Sequence, residues 1–266
     1  MAEDAGWAIY SDESSYNYGA VRGVGAVCMR LDDSARLSDE LSSLLRASGV
    51  RELKWEKVRT ARTAFAAEKA LAWALDHALD GELWIETLTW EVASAAASRA
   101  RRPALANLRD GYTTLLTSVM ARHAQRDDLA RRWRVFPDEQ TAIPWARVCE
   151  ALPQTPEITP ARSEASPLIQ LADLFTGLAV FSRAAYDPYE GWLCAVRDTH
   201  ANMLSGATPR SHAYRFVLLD DFYTACVRRL PGISLQTRRG LYTWRADAPL
   251  QFRFQAHLGE RHGERG

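Results

Sequence analysis

The sequence predicts an α/β layer fold, a mixed β-sheet flanked by helices with a C-terminal helical extension. Three observations carry this expectation. The chain opens with β-type segments, it then alternates strand and helix, and far downstream it holds one long apolar helix at residues 167–185.

Each element has a local reason. Residues 6–12 form a first strand that ends in carboxylates. Residues 18–31 are small, β-branched and punctuated by glycine, which suits a second strand. Residues 34–47 place Leu37, Leu41, Leu44 and Leu45 at helical spacing, and the helix stops near Gly49. Residues 50–55 are short and extended. Residues 59–79 form an alanine-rich helix with Phe65, Leu71, Ala72, Leu75 and Leu79 along one side. Gly81 turns the chain into a strand at 83–90. A long helical stretch follows, broken near Pro103, and runs to about residue 126. The strand at 133–136 leads into Pro137, Asp138 and Glu139. A short helix at 143–152 precedes a proline-marked loop with a short strand around 157–159. Ser166 and Pro167 start the apolar helix, with a hydroxyl N-cap and proline at the first helical position. A helix at 212–230 and a polar, arginine-bearing tail complete the chain.

Composition sets bounds. The chain has 266 residues, 47% of them hydrophobic, enough for one substantial core. Its formal net charge is zero, so no whole-molecule field draws it to nucleic acid or membrane, although a local basic face needs no net charge. Its lysines are Lys54, Lys57 and Lys69; the remaining basic residues are arginine. Cys28, Cys149, Cys194 and Cys226 form no C-x-x-C pair, and residues 1–4 do not resemble a secretory signal. The expectation is reduced thiols in a cytoplasmic protein. No apolar run is long enough to span a bilayer. No P-loop, Gly-x-Ser-x-Gly or dinucleotide glycine motif occurs.

The chemistry-bearing residues are acids in separate segments: Asp12 and Glu13 at the first strand end, Glu52 in the extended piece, Asp138 and Glu139 after the strand at 133–136, and Asp173 on the apolar helix. Strand ends in an open sheet converge on one edge, and a helix across the sheet can present an acid to it. Gly177, one turn after Asp173, would let that helix approach closely. Gathered carboxylates repel one another, and magnesium or manganese, hard cations that prefer oxygen ligands, would remove the repulsion. The chemistry this suggests is phosphodiester hydrolysis at carboxylate-held metal ions.

The segments Tyr10-Ser11-Asp12-Glu13-Ser14, Glu52-Leu53-Lys54-Trp55-Glu56-Lys57, the strand-terminal Asp138 and Leu168-Ile169-Gln170-Leu171-Ala172-Asp173-Leu174-Phe175-Thr176-Gly177 resemble, in that order, the domain-of-unknown-function 3800 family. That family is similar to ribonuclease H-like folds, and the resemblance covers roughly residues 6–185. It implies a ribonuclease H-like domain at 1–186, with residues 187–266 as an extension packed on it. It also implies a divalent-metal-dependent nuclease, with Asp12, Asp138 and Asp173 holding Mg2+ or Mn2+ and Glu52 as a fourth catalytic acid. Three departures stand out: Ser15 replaces the usual glycine, the strand at 83–90 ends in Thr89-Trp90-Glu91 rather than aspartate, and Pro137 precedes Asp138.

Nucleic acid is the expected partner, through Lys54 and a basic strip with Arg101 and Arg102; Arg131, Arg132 and Arg134 form a second run. Each feature also has a plain structural reading: a turn aspartate, a core tryptophan at Trp55, a buried acid paired with arginine, a solvated charged face. His257 and His262 have ligand-like spacing but sit among glycines. The alternative to an enzyme is a non-catalytic scaffold of the same fold that binds nucleic acid or a protein. A phosphoesterase acting on small nucleotides is a third possibility. The segment 187–266 would be either a homodimer interface or a cover over the site.

Overall fold

Two antiparallel strands, β1 (Trp7–Ser15) and β2 (Val21–Arg30), form the middle of the sheet, in register Asp12 to Gly25. The computed structural model describes residues 6–15, 21–91, 104–124, 132–199, 210–226 and 241–245. Strand β3 (Leu83–Glu91) extends the meander antiparallel to β2, whereas β4 (Trp133–Pro137) and β5 (Glu157–Ile158) add parallel to β1 on the other side. A last strand, β6 (Leu241–Arg245), lies parallel to β3, and the order among the described residues is β5-β4-β1-β2-β3-β6. This is a mixed sheet flanked by helices, the α/β layer architecture expected from the sequence. The C-terminal part is helical as expected, but it also supplies β6, a strand not anticipated from the sequence.

The helices are α1 (Ser34–Ala47), α2 (Ala61–Asp80), α3 (Ala104–Ala124), α4 (Trp145–Ala151), α5 (Pro167–Ala184), α6 (Tyr186–Thr199) and α7 (Arg210–Ala225). Strand alternation sorts the core into two layers. Ala8, Val27, Met29, Leu83 and Ile85 face the layer built by α1, α2, α5 and α7. Trp7, Ile9, Val24, Leu88, Trp133 and Val135 face α3 and α4. Helix α2 begins with a capping box between Thr60 and Thr63 and ends on Gly81 at φ +76°, a left-handed cap that glycine adopts without strain. Its buried side is Ala66, Ala67, Ala70, Leu71, Ala74 and Ala78. The expectation for Phe65 is corrected: it is half-exposed, under the Lys69 ammonium.

Helix α5 is apolar all round because it is buried all round, from Pro167 through Ser182. Among the described residues no single helix is long and apolar enough to cross a membrane. Ser166 occupies the N-cap position with Pro167 behind it, but its hydroxyl makes no capping bond; its carbonyl accepts from the Ile169 and Gln170 amides instead. The close approach of α5 to the sheet depends on β2. A Cβ on Gly25 would fall 2.0 Å from Thr176 Oγ1, and one on Gly23 would fall 2.6 Å from Val180 Cγ2. Gly177, expected to face the sheet, serves a different contact: a Cβ there would meet Trp55 Cγ at 2.1 Å. The Thr176 hydroxyl at this dry interface donates to the Ala172 carbonyl within the helix, 2.6 Å away, so it is buried without an unmet donor.

Gly25→Ala is expected to lower stability by about 1–3 kcal/mol through overpacking. In a Thr176→Ala background the same change should cost less, since Thr176 Oγ1 is the nearest obstruction. Urea unfolding of the four proteins measures the coupling, and equal costs in both backgrounds would refute the contact.

Candidate functional site

Asp12 lies near the end of β1, and alternation places it on the α5 face with Ala8 and Tyr10. The next strand in parallel register brings Asp138 beside it. The Asp138 amide donates to the Ser11 carbonyl at 3.0 Å, so β4 continues past Pro137 without loss of its β1 ladder. Pro137's missing donor faces β5, where the Val135 and Pro137 carbonyls accept from Thr159 and Ala161. Helix α5 then lays Asp173 over the same spot. All three acids are buried, with 5%, 3% and 8% of their surface exposed.

Glu13, adjacent to Asp12, points through to the opposite face, as any neighbouring pair on a strand must. There its Oε2 accepts from the Tyr112 hydroxyl at 2.9 Å and the Thr141 hydroxyl at 2.5 Å. Glu52 is not brought to the cluster. It forms an ion pair with Lys57 within its own loop, whereas it was expected as a fourth acid. Glu91 turns away to pair with Arg183 at 2.7 Å. The buried acid of β3 is Glu86, on the α3 face, held by Ser118 Oγ at 2.6 Å and by Arg122 Nε at 3.3 Å. The Arg122 guanidinium lies 3.9 Å over the ring of Tyr242 on β6.

The Gln-Leu-Ala-Asp segment of α5 is a clamp on the backbone of the loop before α2. Gln170 Oε1 accepts from the Leu53 amide at 2.8 Å, and its Nε2 donates to the Ser163 carbonyl at 2.7 Å. Asp173 Oδ2 accepts from the Trp55 amide at 2.6 Å. Trp55 fills the space above Gly177, buried against Phe181, in keeping with the core reading of this tryptophan. Arg215 of α7 closes the other side, donating to the Trp55 and Glu56 carbonyls at 2.9 and 3.1 Å. Gln170 and Arg215 were not identified as site residues from the sequence. A glutamine on an otherwise apolar helix face was the available signal for the first; nothing local marks the second.

Between the two clamped residues, Lys54 extends its ammonium to 3.3 Å from Asp138 Oδ2. Burial works against that charge, but Asp12, Asp138 and Asp173 outweigh it and hold Lys54 above the ordinary lysine range. Burial, and after it the charges of Asp173 and Glu13, push the Asp12 carboxyl up to about 9. Burial likewise pushes Asp173 up to about 6, against the opposing pull of the Trp55 amide and of Lys54.

The donor chemistry suits a hard divalent ion, since three carboxylates converge with more negative charge than Lys54 neutralises. The arrangement does not yet suit it: among the described residues, no group of three Asp, Glu, His or Cys side chains is placed to hold a metal. Asp138 has both oxygens engaged, Oδ1 by the Gln140 amide at 3.1 Å and Oδ2 by Lys54. Asp12 Oδ1 accepts from the Glu13 amide at 2.8 Å, and among the described residues Asp12 Oδ2 and Asp173 Oδ1 have no hydrogen-bond partner. None of the three acids is paired with an arginine among those residues. Arg101, Arg102, Arg131, His257 and His262 lie outside the described residues. Arg134 and Arg132 share Glu157 at 3.0 and 4.0 Å, so that run is partly neutralised.

No protein-family model matches the chain, so the resemblance to the domain-of-unknown-function 3800 family rests on its motifs. Two relatives from Methanothermobacter thermautotrophicus are similar over most of their length. Uncharacterized protein ORF2' is 28% identical over 267 residues, covering 90% of this chain and 89% of the relative. Uncharacterized protein ORF2 is 26% identical over 260 residues with the same coverage. Among solved structures, a chain in the PCNA:RNase HII complex from Archaeoglobus fulgidus aligns over 85% of this chain and 91% of its own length. It shares 17% identity at a TM-score of 0.41.

The raised Asp12 carboxyl gives metal-free stability a definite pH dependence. The folded chain retains a proton that the unfolded chain releases above its ordinary value of 3.8. Stability therefore falls as pH rises from about 4 to about 9, by up to about 1.4 kcal/mol per unit. Asp12→Asn removes that slope. In chelator its melting temperature is expected to exceed that of wild type by a margin that widens from pH 5 to pH 8.5. A margin that is constant or shrinks with pH would show that Asp12 ionises freely.

Proposed function

We propose that this chain is a nuclease-type hydrolase of phosphodiester bonds that takes Mg2+ or Mn2+ at Asp12, Asp138 and Asp173. The reading is supported by one observation above others: two parallel strand ends and one buried helix deliver three carboxylates, none paired with arginine among the described residues, to a single point on the sheet. Burying charge in this way is costly. A core that needed only packing would carry alanine or leucine at Asp12 and Asp138, as it does at Ala8 and elsewhere on that face. Lys54 stands where it can meet a phosphate oxygen once it leaves Asp138.

The second reading is a non-catalytic scaffold that binds nucleic acid or a protein. Two observations favour it: Asp173 already has a structural task as acceptor for the Trp55 amide, and Lys54 already serves as a cation for Asp138.

Cleavage of single-stranded and double-stranded DNA, RNA and RNA–DNA hybrid, assayed with Mn2+ and with chelator, separates the two. The enzyme reading expects metal-dependent cleavage of at least one substrate that drops by about a hundredfold or more in Asp12→Asn and in Asp138→Asn. Cleavage unchanged in both variants would remove the acids from the reaction, and no cleavage of any substrate favours the scaffold.

A further inference from the structure

We infer that Lys54 is the resident cation of this acid cluster, and that a divalent ion binds Asp12, Asp138 and Asp173 only by displacing its ammonium. The inference rests on the proposed metal-dependent reading for the displacement, but the resident-cation role stands on geometry alone.

Four features place the lysine there by construction. Its backbone is extended, at φ −120° and ψ 135°, between two residues whose amides are bound by Gln170 and Asp173. The carbonyls of the following residues are held from the opposite side by the buried Arg215. Trp55, seated on Gly177, prevents the segment from sliding along α5. The ammonium is therefore delivered to Asp138 by a segment fixed on both flanks, and its side chain is only 19% exposed. It neutralises the Asp138 carboxylate at close range and engages the Asp138 oxygen that would otherwise be open. Two positive ions cannot share that position, so occupancy by lysine and by metal exclude each other. The arrangement makes metal uptake conditional: whatever draws Lys54 away, such as the phosphate of an incoming substrate, raises the affinity of the acids for the ion. Other groups facing the ammonium are the carboxylates of Asp12 and Asp173, across β1 and α5.

The test uses the full-length protein, Lys54→Met as the uncharged variant of similar length, and Lys54→Arg as the charged one. Two measurements are made: thermal unfolding in chelator, and calorimetric titration with manganese chloride. Lys54→Met is expected to melt lower than wild type in chelator, and that loss is expected to shrink in an Asp138→Asn background. With Mn2+ it should bind at least about tenfold more tightly than wild type and regain stability. Lys54→Arg should track wild type in both. If Lys54→Met melts with wild type in chelator, or binds Mn2+ no more tightly while wild type binds, the inference is overturned and the metal reading survives. If Lys54→Met is destabilised in chelator, coupled to Asp138, and no variant binds Mn2+, the resident-cation role is upheld and the nuclease reading fails.

Discussion

The rest of the structure depends on the direct contact between helix α5 and strand β2. Gly23 and Gly25 present no side chain, so Thr176 and Val180 rest on the sheet itself. The helix is thereby low enough for Asp173 to reach the level of Asp12 and Asp138, which stand on the same face at the adjoining strand ends. The same depth explains why α5 has no polar side. Every face of it meets something: β1 and β2 below, α1 and α7 beside it, and the segment at residues 53–57 above. A helix enclosed in this way can carry a carboxylate only where a donor is built for it, and the Trp55 amide is that donor.

The cluster is thus a compromise between two demands. One is structural: Gln170 and Asp173 serve as backbone acceptors that attach a loop to a helix. The other is electrostatic: three acids are kept together at the expense of a carboxyl, Asp12, held far from its ordinary ionisation. A lysine supplied by the attached loop reduces the repulsion without abolishing it. The same side chains therefore describe a stable core feature, and on the proposed reading the position of one ammonium group decides whether they also take a stronger cation.

Much of this was legible in the sequence. The apolar run around Asp173 required a helix buried on all sides, and the strand-terminal acids required neighbouring strands to bring them together; Asp12, Asp138 and Asp173 do share one face. What was not legible depended on direction rather than composition. Glu13 stood beside Asp12 in sequence, but a strand sends consecutive side chains to opposite faces; Glu52, expected as a fourth acid, had a lysine within its own loop. Gly177 was read as a contact with the sheet because helical spacing cannot say what lies opposite; the opposing group was a tryptophan more than a hundred positions earlier. The role of Arg215 was invisible for the same reason, since its partners are backbone carbonyls, which no sequence pattern advertises. Strand β6 was missed because five residues of a polar, aromatic segment carry little periodicity.

Strand β6 has a consequence for how the chain is made. It pairs in parallel with β3, whose sequence is complete roughly 150 residues earlier. At ribosomal rates of about 5–20 residues per second, the residues of β6 follow those of β3 by roughly 8–30 seconds of synthesis. The Glu86 carboxylate of β3 pairs with Arg122, and the Tyr242 ring that stacks on Arg122 belongs to the late strand β6. An inward charge on an open edge discourages pairing with another nascent chain. In the finished sheet the Glu86–Arg122 pair lies beside the junction of β3 and β6, where the Tyr242 ring covers the guanidinium.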